Sequence, residues 1–204
     1  MAYSISEACE RNKGPILQIL RGALADRHSV LEIGSGTGQH AVWLATHLPH
    51  LSWQPSDMTE YLPGLRKRIA GEGPPNLRDA VELDVRALPW KVEPVDAVFT
   101  ANTTHIMSWE AVRDLFHGIG TVLTAPGVLC IYGPFRYQGR YTSDSNAEFD
   151  RSLKTRDPVS GLRNFEDINA LAAAQDCQLV ADHAMPANNQ LLVWRKALQP
   201  AQAS

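Results

Sequence analysis

The sequence predicts an α/β domain: a seven-stranded, mostly parallel sheet with an antiparallel last strand and helices on both faces. Three observations predict it. From His28 onward, short β-rich runs alternate with helical stretches, the pattern that places a parallel sheet between two helical layers. One such unit, Ser29-Val30-Leu31-Glu32-Ile33, passes through Gly34-Ser35-Gly36-Thr37-Gly38 into the helix-like Gln39-His40-Ala41-Val42-Trp43-Leu44-Ala45. Finally, two strand-like runs at 177–185 and 190–196 are joined only by Pro186-Ala187-Asn188-Asn189, a hairpin-length link that makes the final strand antiparallel.

In chain order, residues 4–25 read as a helix with an apolar stripe of Ile16, Leu17, Ile19, Leu20 and Leu24. Gly14-Pro15 within it marks a kink or a fresh helix start. Strand one spans 28–33 and a helix 38–48. A short second strand over 51–55 ends at Ser56-Asp57, and the helix 60–71 is closed by Gly71-Glu72-Gly73-Pro74-Pro75. Strand three is expected over 77–84, strand four over 95–100, a helix over 109–123 and strand five over 127–132. From Gly133 to about Asn164 the chain reads as polar and irregular, with a short helix near 146–154. Residues 165–175 are helical, and the tail at 199–204 reads as frayed.

A chain of 204 residues fits one domain over 1–204 with a sizeable core. A net charge of −3 offers no basic surface for nucleic acid. No apolar run approaches the ~20 residues of a membrane span, and Met1–Glu7 lacks the basic-then-apolar pattern of a secretory signal. Cys9, Cys130 and Cys177 are widely spaced with no C-x-x-C, which points to reduced thiols in a cytoplasm.

Glycines between a strand and a helix permit positive φ and close approach of a ligand. A dinucleotide fingerprint needs glycine or alanine at the sixth position from Gly34, where this chain has Gln39. The pattern present is E-x-G-x-G-x-G. Glu32-Ile33-Gly34-Ser35-Gly36-Thr37-Gly38 resembles motif I of class I S-adenosylmethionine (SAM) methyltransferases, a Rossmann-like fold in which the glycine turn underlies the methionine part of SAM. Ligands of open α/β sheets bind outside the carboxyl ends of the strands. Asp57, ending strand two, can accept charge-assisted hydrogen bonds from both ribose hydroxyls; a helix cap is its structural alternative. The resemblance implies that Asp84 receives the adenine amino group and that the backbone of Val85 meets the ring. It further implies a cofactor site including Asn12, Ser35, Met58 and Asn102, with S-adenosylhomocysteine (SAH) as product and no metal.

A narrower resemblance rests on more of the chain. Glu10-Arg11-Asn12-Lys13-Gly14-Pro15-Ile16-Leu17 is similar to the signature of the methyltransferase-like protein 26 family. So are Tyr141-Thr142-Ser143-Asp144-Ser145-Asn146-Ala147-Glu148-Phe149-Asp150, then Leu153, Arg156-Asp157-Pro158 and Gly161, and Asn102 with His105 and Trp109-Glu110-Ala111. Thr103, Thr104, Met107 and Ser108 depart from the family pattern beside the site. The family implies a SAM-binding fold and supplies no substrate.

Methyl transfer from a sulfonium is an in-line displacement for which the protein mainly positions the acceptor. His105, just past strand four, is the candidate general base; the alternative is a histidine bonded to loop backbone. Tyr132 and Asp144, or Asp150, are candidates to shape or polarise the acceptor, with Asp144 alternatively capping the short helix. Residues 133–164, with aromatics interleaved among arginines, are expected to form a lid-like insertion or a loop folded back on the domain. The histidines show no zinc spacing, and neither G-x-S-x-G nor a P-loop lysine is present. The sequence thus favours a methyltransferase acting on a small-molecule acceptor. A SAM-binding sensor or partner subunit without catalysis, and a nicotinamide-dependent oxidoreductase, stay open as alternatives.

Overall fold

The computed structural model describes residues 5–198, so the expected tail at 199–204 and the start of the chain before Ile5 lie outside the described residues. Helix α1, Glu7–Ala23, begins where Ser6 Oγ accepts from Cys9 N and runs unbroken through Pro15. No fresh start occurs there, because Ile16, Leu17 and Leu20 lock the second half into the core. The carbonyl that Pro15 leaves without a helical donor belongs to Arg11, on the exposed face. Strand β1, Ser29–Ile33, leads to α2, Gln39–His47; β2, Ser52–Asp57, leads to α3, Leu62–Glu72. Then follow β3, Val81–Glu82; β4, Val95–Ala101; α4, Trp109–Val122, capped by Ser108; and β5, Leu123–Gly133. The chain continues through β6, Phe135–Tyr137; β7, Arg140–Tyr141; α5, Asp144–Arg156; β8, Arg163–Asn164; α6, Phe165–Ala173; β9, Cys177–Met185; and β10, Asn189–Lys196.

The main sheet has the order β3-β2-β1-β4-β5-β10-β9. β1 to β5 pair in parallel, and β10 is antiparallel to both β5 and β9, as the short link before it requires. Alternate residues of β4 feed two apolar layers. Ala97 and Phe99 pack with Leu17, Leu20, Leu44 and Trp53 on one face. Val98 packs with Leu115, Phe116, Ile131 and Trp194 on the other. Each fully buried large apolar side chain contributes roughly 1.5–3 kcal/mol, which makes the strand register costly to shift. The order reverses between β1 and β4, and the glycine turn sits at the carboxyl end of this switch.

Two expectations are corrected. Strand three shrinks from 77–84 to Val81–Glu82. Trp53 still exchanges backbone bonds with Asn76 O and Arg78 N, but Pro55, which faces the same neighbour two residues on, has no N–H to donate. Gln54 Nε2 donates instead to Asp79 O (2.6 Å) and Pro55 O (3.1 Å), and the ladder resumes at Ser56↔Val81. The segment 133–164 is not irregular. It holds a three-stranded sheet, β7-β6-β8, and the 13-residue α5. Strand signals of two or three residues in β6, β7 and β8 are too short for side-chain periodicity to register.

Candidate functional site

Gly34, Gly36 and Gly38 all adopt left-handed backbone, with φ of 71°, 55° and 77°. Their surroundings differ. A Cβ on Gly34 would stand 2.5 Å from Thr103 Cγ2, and one on Gly38 would stand 2.8 Å from Leu65 Cδ1. A Cβ on Gly36 would meet nothing within 4 Å. Gly34 and Gly38 are therefore glycine to let protein pack, whereas Gly36 presents bare backbone to open space. Ser35 fastens the turn to β2: its N donates to Ser56 O (3.0 Å), and its Oγ accepts from Ser56 N (3.2 Å). Gln39, at the sixth position, ties α1 across the turn. Its Oε1 accepts from Ser6 N (2.5 Å) and its Nε2 donates to Glu10 Oε1 (2.9 Å).

The three acids occupy different environments. Glu32 is buried beneath the turn and lines neither cleft described below. Its Oε2 accepts from Trp53 Nε1 (2.8 Å), and burial pushes its carboxyl up to about 7 against the pull of Trp53 and Ser35. Asp57 stands at the cleft wall. Its Oδ2 accepts from Gly36 N (2.6 Å) and its Oδ1 from Met58 N (2.8 Å), so the carboxylate locks the middle glycine in place. Burial raises its pKa, and those two N–H groups oppose the rise. Asp84 lies past β3 and is gripped by Arg86: Nε donates to Oδ1 (2.9 Å) and an Nη donates to Oδ2 (2.6 Å). That pairing holds its carboxyl below the usual range. Val85 is buried beside it, and its carbonyl accepts from Trp90 Nε1 (3.1 Å).

A cleft of about 590 Å³ opens outside the carboxyl ends of β1, β2 and β4, with Gly34, Gly36, Asp57, Met58, Asp84, Val85 and Asn102 in its wall. A second, of about 240 Å³, shares Gly34, Gly36, Ala101 and Asn102 with it and runs beneath α1 past Ser35, Cys9 and His40. The turn and the end of β4 divide one elongated depression into a wide and a narrow arm. Sequence reasoning missed Tyr61, Ile106, Val159 and Asp157 in the wide arm, and Gln39 and His40 in the narrow one. The signal for Ile106, Gln39 and His40 is position, a few residues beyond the carboxyl ends of β1 and β4. Nothing local marks Val159, and Asp157 is marked only by the Arg156-Asp157-Pro158 resemblance; the turn after α5 brings both in from far along the chain.

The other sequence candidates sit deeper. Asn12 Oδ1 meets His40 Nε2 at 2.7 Å, and Asn12 also bonds the Tyr132 side chain, so buried Asn12 and Tyr132 connect to the half-buried His40 at the narrow arm. Tyr132 lines neither cleft. Asn102 has φ 60°, and its N donates to Tyr132 O (2.8 Å), which turns its side chain away from the strand path. His105 is buried against Phe149, with the rings edge to face at 5.3 Å. Burial, with Arg163 and Arg156 nearby, lowers its pKa to about 4, so the ring is neutral at pH 7. Asp144 is exposed in the first turn of α5, and the cap is Ser143, whose Oγ accepts from Asn146 N (3.2 Å). Asp150 is buried and structural. It accepts from Tyr141 OH (2.7 Å), Lys154 Nζ (2.6 Å) and Leu162 N (2.6 Å). Arg163 straps the loop after β4 to this segment, donating to the carbonyls of Thr104 (3.0 Å), Met107 and Val159 (3.1 Å).

Chemically, the depression offers a bare backbone turn flanked by a carboxylate, apolar walls, and a neutral imidazole nearby. No group of three or more His, Cys, Asp or Glu side chains suited to a metal ion exists among the described residues. No helix among them is long and apolar enough to cross a membrane.

The family model described as "Protein of unknown function (DUF938)" matches residues 3–196, so the chain belongs to that family. Solved structures with a similar fold include an O-methyltransferase family protein from Burkholderia thailandensis, at TM-score 0.81 and 16% identity over 94% of this chain and 58% of that one. Human N-acetylserotonin methyltransferase in complex with SAM aligns at TM-score 0.78 and 15% identity, over 94% and 54% of the two chains. An O-methyltransferase family 2 protein from Planctomyces limnophilus in complex with apigenin aligns at 0.73 and 15%, over 92% and 62%. The likeness shows the Rossmann-like class I methyltransferase fold, and this chain spans between 54% and 62% of the length of those proteins.

Proposed function

We propose that this member of the DUF938 family is a SAM-dependent methyltransferase acting on a small-molecule acceptor. One observation carries the reading: Asp57 holds Gly36 N–H at 2.6 Å where the turn faces open space, so a carboxylate and a bare backbone cradle share one cleft wall. A cradle that a Cβ would fill suits the methionine part of SAM, and a strand-end carboxylate beside it suits the ribose hydroxyls. In this reading Gly34, Ser35, Gly36 and Gly38 form the cradle, Asp57 and Met58 hold the ribose, and Asp84 and Val85 border the adenine. Asn102 and Asn12 lie toward the methionyl end, and Glu32 supports the turn from below. When bound, SAM supplies an electrophilic methyl on a sulfonium, which an acceptor nucleophile takes in line to leave SAH.

The chain's own contribution is to bind and orient. His105, neutral at pH 7, is the candidate to take a proton from the acceptor. Tyr132, buried and bonded to Asn12, is the candidate to shape the acceptor site from beneath. Asp144, exposed on α5, retains the weakest claim. Residues 133–164 act as a lid whose position the Asp150 and Arg163 bonds fix. The narrower likeness to the methyltransferase-like protein 26 family belongs to this proposal, as do one SAM-binding domain over 1–204, a cytoplasmic setting and no nucleic-acid or metal partner. Three buried free thiols support the cytoplasmic setting. The apigenin held by one structural relative supports a small acceptor here.

A second reading has one observation in its favour. His105 and Tyr132 both lie off the cleft walls, which suits a SAM-binding sensor or subunit without turnover. Incubating purified protein with SAM and a small-molecule cell extract separates the two. SAH formed in proportion to enzyme supports catalysis, and tight SAM binding with no SAH across varied extracts supports the sensor.

A further inference from the structure

The proposed function leaves the acceptor unnamed, and one feature beside the cleft narrows it. A Cβ on Gly133 would stand 3.7 Å from His105 Nδ1 and 4.0 Å from Asn102 Oδ1, with no other atom outside its chain neighbours within 4 Å. Gly133 ends β5, and its backbone needs no positive φ. Glycine there leaves a methyl-sized niche roofed by an imidazole nitrogen and an amide oxygen. His105 is 4% exposed, and among the described residues its Nδ1 has no hydrogen-bond partner. A buried polar atom left unpaired costs roughly 1–3 kcal/mol, so such a group calls for a ligand or a function. Asn102 lines both arms of the depression while Gly133 and His105 line neither, so the niche borders the cleft through Asn102.

Resting on the SAM-binding reading, we infer that the niche over Gly133 is the acceptor subsite and takes a neutral hydroxyl group, alcohol or phenol, carried on a compact apolar body. Chemistry selects among the protic groups. A hydroxyl both donates and accepts, so with the Nδ1–H tautomer it accepts from His105 Nδ1 while donating to Asn102 Oδ1, and with a bare Nδ1 it gives its one proton to the imidazole. An ammonium would enter the positive field of Arg163 and Arg156, which face His105 closely enough to disfavour its charged form. A carboxylate would meet Asn102 Oδ1, an acceptor with nothing to donate. The body of the ligand meets apolar side chains: Phe149 packs edge to face on His105, and Ile106 and Val159 stand exposed in the cleft wall that Asn102 shares.

The test uses phenol as probe, with toluene, benzylamine and benzoate as comparators, on SAH-loaded protein carrying ¹⁵N-labelled histidine. Phenol is expected to move the His105 ring resonances saturably, and the three comparators are expected to leave them in place. Gly133→Ala fills the niche in ordinary van der Waals contact, so it folds. It should weaken the phenol response by roughly tenfold, about one hydrogen bond's worth, while SAH affinity stays within twofold. Phenol failing to move His105, or binding Gly133→Ala as it binds the parent, overturns the niche. Calorimetric SAH binding on the same samples separates the two failures. SAH bound with His105 unmoved sinks the niche alone. Absence of SAH binding sinks the cofactor reading, and the niche, built wholly of protein atoms, still predicts the phenol response of the SAH-free chain.

Discussion

Gly34→Ala should destabilise the protein more than Gly36→Ala, by the overlap with a single methyl group. Both residues have φ in the left-handed region, 71° and 55°, so each alanine costs about 1–2 kcal/mol in backbone energy. At Gly34 the new Cβ would also stand 2.5 Å from Thr103 Cγ2, far inside the ~3.5–4.0 Å of a carbon–carbon contact. Overpacking of that kind adds about 1–3 kcal/mol. At Gly36 nothing lies within 4 Å, so no second cost arises. The extra term has an identified owner. Thr103→Ser deletes Cγ2 and keeps the Oγ1 bond to Thr100 Oγ1 at 2.6 Å. The double variant Gly34→Ala/Thr103→Ser should recover most of the difference, leaving only the backbone term. Urea unfolding of the four proteins reads this as a double-mutant cycle, and SAH titration of Gly36→Ala reads the binding half, where affinity should fall at least tenfold with a smaller loss of stability. Equal stability of the two alanine variants, or no rescue by Thr103→Ser, would refute the division into a packing glycine and a ligand-facing glycine.

Other consequences are open to measurement. Glu32 is protonated more readily when folded, with a pKa of about 7 against an ordinary 4.5, so its contribution is fully present below 4.5 and is lost as pH rises through about 7. Glu32→Gln, neutral and nearly isosteric, should therefore gain stability relative to the parent between pH 5 and pH 8; melting temperatures at both values check this, and a flat difference would contradict it. Asp150→Ala leaves the buried Leu162 N–H without its acceptor and should cost about 1–3 kcal/mol in urea unfolding. If α5 serves as a lid, the same variant should also raise protease cutting after Tyr141 more than cutting in α4.

The fold was legible because its signals repeat. Seven strand-like runs with helices between them, a glycine turn and one hairpin-length link leave few topologies. Strand three is shorter than its own residues suggest because Pro55, which interrupts it, lies on the neighbouring strand, so the cause is not local. The small sheet of β6, β7 and β8 was invisible because its strands are two or three residues long. At the site, the strand-end rule found Asp57 and Asn102 and the glycine motif found Gly36, since both depend on position in the chain. That rule could not reveal that Arg86 grips Asp84, that Tyr132 points under α1 at Asn12, or that Ser143 rather than Asp144 caps α5. Those outcomes turn on which neighbour a side chain finds in space. Val159 reaches the cleft only because Arg163 and Asp150 fold the end of α5 back over the loop after β4.

Titration calorimetry of SAM, SAH and NADP⁺ into the parent protein and Asp57→Ala tests the central claim most directly. SAM and SAH should bind one per chain and NADP⁺ should give no heat. Asp57→Ala should weaken SAH by roughly 10- to 150-fold, the worth of a charge-assisted hydrogen bond of about 1.5–3 kcal/mol. No binding of SAM or SAH, or binding that Asp57→Ala leaves unchanged, would contradict the account.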